Sequence, residues 1–304
     1  MRPILAACTA LLLAPLALAP LPAAADPIPN SVLTDPAQDK THPASTFAFA
    51  LPTKGVKINA VFFYAAGAGP HPTVLLLHGL PGNEQNLDLA RAMQREGWNV
   101  LTLHYRGSWG SPGQYSFSHC LEDAAAALAW LRDPNTAAAP QIDGGKIVVI
   151  GHSFGGFVAA YTGAHDSGVM ATGMISAVDI GGMLGAAPAA IGIKIIDDNI
   201  GTSAGMHTLN ASPEALAEEV VRNGKGWDFR DWAEPLAHHP LLIITSDDGF
   251  SGPNEALRDK VKAVGDDPVY THLATDHNYD DQRIALEATV IRWLENLPGA
   301  PAGL

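Results

Sequence analysis

The sequence predicts an α/β architecture, a mostly parallel central sheet flanked by helices, and three features carry that expectation. Residues 73–77, 99–104, 146–150 and 241–245 are short, nearly continuous apolar runs, each followed by a polar or Gly-rich loop and then helical periodicity. Strands covered on both faces by helices read this way, because neither side of the pleat meets water. The run ending at Ile150 continues into Gly151-His152-Ser153-Phe154-Gly155-Gly156 and a stretch of small residues, so strand and helix meet at one serine. Finally, a last strand over residues 269–274 leads through a histidine-bearing loop to a terminal helix over residues 280–297.

Taken in order, the chain begins with Arg2, an apolar stretch over residues 4–21, and Ala23-Ala24-Ala25 before Asp26. That is the order of a secretory signal peptide, so residues 1–25 are set aside from the fold and the protein is expected to be periplasmic or secreted. Pro15, Pro20 and Pro22 interrupt the apolar stretch and argue against a lasting membrane span. Residues 47–51 and 56–64 then read as an antiparallel entry hairpin broken by Pro52-Thr53-Lys54-Gly55. Helices are expected over residues 84–96, stopping at Gly97, over 118–132, stopping before Pro134, and over 153–163. Glu122 and Asp123 fall in the first turn of the second, where the helix dipole favours carboxylates.

Residues 180–234 break the alternation and hold a helix capped by Ser212, opened by Pro213 and stopped by Gly224. So long a connection predicts a helical cap inserted before the strand at 241–245. The chain is thereby divided into core (26–179), cap (180–235) and core again (236–304). Met183, Leu184, Ile191, Ile193, Ile195 and Ile196 either line a substrate pocket or pack the cap onto the core.

The net charge of −13 and the scattered basic residues exclude a phosphate-backbone surface, so no nucleic-acid partner is expected. Cys8 leaves with the signal peptide, and Cys120 alone forms no intramolecular disulfide. No Gly-x-Gly-x-x-Gly or Walker loop indicates a nucleotide cofactor. His238-His239 lack the carboxylate or cysteine spacing that would complete a metal site. The expected partner is a small-molecule or peptide-like acyl compound.

The Gly-x-Ser-x-Gly segment is a nucleophile elbow if the serine has a base and the base a carboxylate. A plain Gly/Ser turn after a buried strand is the bland alternative. The order required along such a chain is Ser, acid, His. His277, in Thr275-Asp276-His277-Asn278, lies after the last strand, at the edge of the sheet where catalytic groups collect. His272 is the poorer candidate, since it falls within that strand. Asp247 and Asp248 stand side by side after residues 241–245, and neighbouring side chains point different ways, so one faces the histidine and the other caps the loop. Two amides must hold the oxyanion: that of Phe154, after the nucleophile, and one from His78-Gly79-Leu80-Pro81-Gly82, assigned to Leu80.

With His-Gly-x-Pro-Gly, Tyr105-Arg106-Gly107-Ser108-Trp109-Gly110-Ser111-Pro112-Gly113, Gly-His-Ser-Phe-Gly-Gly, an Asp loop and a late Asp-His in place, the chain resembles the α/β-hydrolase superfamily over residues 71–297. The second motif is similar to bacterial esterase and serine aminopeptidase-like members. The resemblance implies the α/β-hydrolase fold, Ser153 as nucleophile, His277 as base and Asp248 as acid, since Asp248 is closer to the strand-to-acid spacing of related enzymes. The acid loop departs from the Gly-x-x-Asp step of many relatives, which keeps Asp247 open.

The reading is an exported carboxylic ester hydrolase working through a Ser-His-Asp acyl-enzyme. A peptidase or amidase of the same fold is the second reading; an exopeptidase would grip a free amine with cap carboxylates, and Asp197, Asp198, Glu218 and Glu219 are available, although surface solvation explains them equally. A noncatalytic binding protein on the same fold is the third. Arg106 is expected to brace its loop rather than meet substrate. Trp227, Phe229 and Trp232 are expected to pack the cap, and Cys120 to be structural.

Overall fold

Within each inner strand, successive side chains enter opposite faces of one sheet. Leu75, Leu77, Ile147, Val149 and Ile243 pack on one face, while Val74, Leu76, Val148, Ile150 and Ile244 pack on the other. Two-sided burial is the reason these runs show no polar alternation. The computed structural model describes residues 27–136, 138–184, 188, 191, 192, 194 and 205–301. The expected signal peptide and Ile193, Ile195, Ile196, Asp197 and Asp198 lie outside the described residues. Among the described residues, no helix is long and apolar enough to cross a membrane.

The strands are β1 (Ser45–Thr53), β2 (Val56–Tyr64), β3 (His71–Leu77), β4 (Asn99–Leu103), β5 (Ile142–His152), β6 (Ala171–Ile175), β7 (Leu241–Thr245) and β8 (Val269–His272). They form one sheet in the order β1-β2-β4-β3-β5-β6-β7-β8. β1, β2 and β4 pair antiparallel, and every other neighbouring pair is parallel. The entry hairpin is tighter than expected: Thr53 pairs with Val56, and the turn is Lys54-Gly55, both at positive φ.

Helices α1 (Asn30–Leu33), α2 (Leu87–Arg95), α3 (Phe117–Arg132), α4 (Phe154–His165), α5 (Ile180–Leu184), α6 (Pro213–Asn223), α7 (Ala233–Leu236), α8 (Ser251–Ala263) and α9 (Arg283–Glu295) surround the sheet. Residues 180–236 hold α5 to α7 with short 3₁₀ turns between β6 and β7. Ser212 caps α6 through the Ala215 amide, but Gly224 keeps right-handed backbone and passes into a 3₁₀ turn instead of ending the helix in the left-handed region. Trp227 and Trp232 lie against Phe157 on α4, with ring centroids 5.9 and 5.6 Å away, so they pack this segment behind the elbow.

β6 escapes a reading based on apolar runs. It is buried throughout, yet Thr172 and Gly173 interrupt its apolar pattern. A Cβ on Gly173 would come within 3.1 Å of the Ile150 side chain, which would have to give way by a few tenths of an ångström, so the contact with β5 favours a small residue there.

Glu122 and Asp123 serve a different purpose from dipole pairing. The helix begins one residue earlier, with Ser116 as its cap, and both carboxylates meet Arg106. Arg106 Nε lies 2.7 Å from Asp123 Oδ1, and Asp123 also accepts from Thr53 Oγ1 at 2.8 Å and the Arg106 amide at 2.8 Å. Both side chains are buried. Arg106→Met strands that carboxylate, and we expect a loss of about 3–5 kcal/mol. Urea denaturation measures it; a loss below about 1 kcal/mol would show that the pair is dispensable.

Candidate active site

β3 lies between β4 and β5, so the chain leaves β3 toward one edge and returns on its other side. Ligands of open α/β sheets bind at such a switch point, where loops diverge from the carboxyl ends of the strands. Leu77 pairs with Gly151 in register, and the two loops that follow, 78–82 and the elbow, therefore emerge side by side.

At the elbow Ser153 has φ 59° and ψ −124°, between the end of β5 and the start of α4. Its amide donates to Ile175 O at 2.8 Å, which continues the β5–β6 ladder up to the turn. The flanking glycines are steric necessities: a Cβ on Gly151 would lie 1.9 Å from Gly155 O, and one on Gly155 2.2 Å from Leu77 O. α4 begins at Phe154, so that amide sits in the first turn, at the positive end of the helix dipole. A Cβ on Gly79 would come 3.2 Å from Ser153 Oγ, which places the loop bearing Leu80 directly against the serine.

The loop over residues 78–82 is held from behind. His78, buried and pushed down to about 4 by that burial, is neutral and donates from Nδ1 to Gly79 O at 2.7 Å. Trp109 Nε1 donates to Pro81 O at 2.7 Å, and Tyr105 Oη to His78 O at 3.3 Å. Gly82, at φ 105°, leaves room for the Trp109 indole, which a Cβ would approach to 2.8 Å. The Tyr-Arg-Gly stretch therefore braces this loop, and Arg106 makes bracing contacts as expected.

The adjacent aspartates separate cleanly. Asp248 Oδ2 accepts from His277 Nδ1 at 2.7 Å, and the carboxylate is almost fully buried while the imidazole is about one-third exposed. Asp247 Oδ1 instead lies 3.2 Å from His272 Nε2 at the end of β8, with both side chains in contact with solvent. Burial pushes the Asp248 carboxyl up, but hydrogen bonds from His277, the Phe250 amide and Ser176 hold it down at about 2. Asp248 is thus ionised throughout the neutral range. His277 also stands beside the elbow: its carbonyl accepts from His152 Nε2 at 2.7 Å, and the two rings lie 4.8 Å apart.

Several contributors were invisible in the sequence. Ser176, at φ 42° just after β6, bonds Tyr279 Oη at 2.8 Å and Ser246 Oγ at 3.0 Å behind Asp248. Ser176 follows a strand whose apolar run is broken, and Tyr279, two residues past His277, carries only the signal of an aromatic in a polar loop. Glu219 is neither solvated nor offered to a ligand. It accepts the Phe117 and Ser118 amides at 2.8 and 2.9 Å, and so joins α6 to the start of α3. His239 bonds Thr172 Oγ1 at 2.8 Å. Cys120 is buried, and that burial pushes its thiol well up.

A model of the Alpha/beta hydrolase family matches residues 74–300, a span that includes the elbow, the Asp248–His277 pair and most of the sheet. The chain belongs to the alpha/beta hydrolase family. An alpha/beta hydrolase domain-containing protein, WAV2, of Arabidopsis thaliana is 36% identical over 108 residues, and the match spans 35% of this chain and 33% of that protein. Among solved structures, a thermostable carboxylesterase cloned from a metagenomic library is similar with a TM-score of 0.57 and 24% identity, over 83% of this chain and 90% of that one. An acylaminoacyl peptidase of Pyrococcus horikoshii is similar with a TM-score of 0.62 and 14% identity, over 86% of this chain and 43% of that one. At these identities the structures speak for the fold.

Proposed function

We propose that this protein is a serine hydrolase that cleaves a carboxylic ester by acyl transfer. The observation that carries the reading is the meeting, at one edge of the sheet, of a serine on a strained elbow, a loop pressed against its Oγ, and a histidine bonded to a buried, ionised carboxylate. Ser153 Oγ attacks the acyl carbon as His277 takes its proton, and the oxyanion is held by the amides of Leu80 and Phe154. The C–O bond to the alcohol then breaks, and His277 returns the proton to that leaving oxygen. Water attacks the acyl-enzyme and gives a proton to His277; the bond between the acyl carbon and Ser153 Oγ breaks, His277 returns that proton to Oγ, and the carboxylate product leaves. Asp248 holds the imidazole with Nδ1 protonated and Nε2 free to work.

Ester hydrolysis is preferred because an alkoxide leaves more readily than an amine and makes smaller demands on the acid. Glu219, committed to capping α3, is no longer available to grip the free amine of a peptide. We also propose a cap role for residues 180–235 and export through residues 1–25, the latter on the charge, apolar and small-residue order alone. The test compares a short-chain nitrophenyl ester with an aminoacyl anilide and adds fluorophosphonate labelling. Ester turnover with an adduct on Ser153 is expected; turnover of the anilide alone would favour the peptidase, and an unlabelled folded protein a binding role.

A further inference from the structure

Building on the serine-hydrolase reading, we propose that His152 is a positioning residue that holds His277 against the elbow by donating a hydrogen bond from its Nε2 to the His277 backbone carbonyl. The contact is 2.7 Å long, and the His152 side chain is buried. A carbonyl only accepts, so the proton sits on Nε2. His152 Nδ1 is buried without a partner, which fits a bare ring nitrogen. Burial, reinforced by His277 nearby, pushes the His152 imidazole down to about 3, so it stays neutral and does not compete for the proton that His277 carries.

The physical problem that this contact solves is the placement of the base. His277 lies in the connection between β8 and α9, and its ring is tied to Asp248 at Nδ1. That bond fixes one point of the imidazole and leaves its main chain free to shift relative to the serine, which is on another loop. His152 directly precedes Ser153, so its bond ties the base's own backbone to the nucleophile's. The ring of His152 also lies 4.8 Å from that of His277 and meets Tyr279 edge-on at 6.3 Å. The next carbonyl, Asn278 O, accepts from Arg283 at 2.9 Å, and Arg283 is ion-paired with Asp88 at the start of α2. That outer tether is partly exposed, where water replaces lost contacts; the inner one is part-buried, with its donor ring out of contact with solvent.

The experiment compares the parent protein with His152→Leu and His152→Gln, the amide of glutamine reaching about as far as imidazole Nε2. Should His152→Leu not fold, His152→Asn, whose shorter amide falls short of the carbonyl, takes its place. Ester kinetics are read alongside the NMR signal of the His277 Nδ1 proton in protein labelled at histidine nitrogen. Displacement of the base is expected to lower kcat about a hundredfold with KM nearly unchanged, and to release the Nδ1 proton to rapid exchange, while His152→Gln recovers both. A donor-less variant with parental kcat and a protected Nδ1 proton would overturn the proposal. If the parent neither turns over ester nor reacts with a fluorophosphonate, the serine-hydrolase reading fails, and the Nδ1 proton in the variants still decides whether His152 positions His277.

Discussion

Ser153→Ala is expected to lower kcat for an ester by about 10⁶-fold while leaving the fold intact. The loss is specific to Oγ. Alanine meets the same backbone demand at φ 59° as serine does, and the turn is supported by main-chain bonds, from the Ser153 amide to Ile175 O and from the Gly156 and Val178 amides to Ser153 O. No partner for a buried group is lost beyond the reacting proton. Residual turnover above the uncatalysed rate is expected from the amides of Leu80 and Phe154, which do not depend on the hydroxyl. Steady-state kinetics and thermal unfolding, run on the same preparation, check both halves. An unfolding midpoint equal to the parent's with ester turnover undiminished would remove Ser153 from the chemistry.

Asp248→Asn is expected to cost about 10⁴-fold in kcat, whereas Asp247→Asn should change it by less than about tenfold. Both residues sit on one turn, but only Asp248 is buried and bonded to His277; Asp247 is exposed and faces His272. An amide at position 248 presents a donor or a weak acceptor to Nδ1, and the imidazole is then free to take the tautomer with Nε2 protonated, which cannot accept the serine proton. Equal losses from the two substitutions would refute the assignment of the acid. A stability signature accompanies the kinetic one. Because the folded Asp248 carboxyl lies near 2, below its ordinary value of 3.8, its ionised form stabilises the fold above about pH 4, and that contribution is lost as pH falls through 2. Acid unfolding of Asp248→Asn should lack this component, whereas Asp247→Asn should retain it.

Most of the site was legible because its parts are local. The elbow is a run of adjacent residues whose glycines are forced by contacts within a few positions, as the Gly151 to Gly155 approach shows. His277 and the aspartate pair were found from their positions after strands. What stayed hidden depends on partners far along the chain. Neither Glu219 capping α3 from about a hundred residues away nor Arg106 meeting Asp123 beneath the entry hairpin has a pattern in sequence. β6 carries a fainter pattern because Thr172 and Gly173 interrupt its apolar run, and Gly173 lies close against Ile150 of β5.

The sequence by itself determined the class of fold, the serine at the strand-to-helix hinge, the Gly/Pro loop over residues 78–82 beside it and the histidine before the last helix, because each is written in short-range periodicity or in glycines that a tight turn requires. Only the tertiary structure decided which of two neighbouring aspartates meets that histidine, and which side chains stand behind the site. Adjacent residues share almost the same sequence context, so their roles separate only when β7 and β8 are laid in register and one carboxylate turns inward to His277 while the other turns outward to His272.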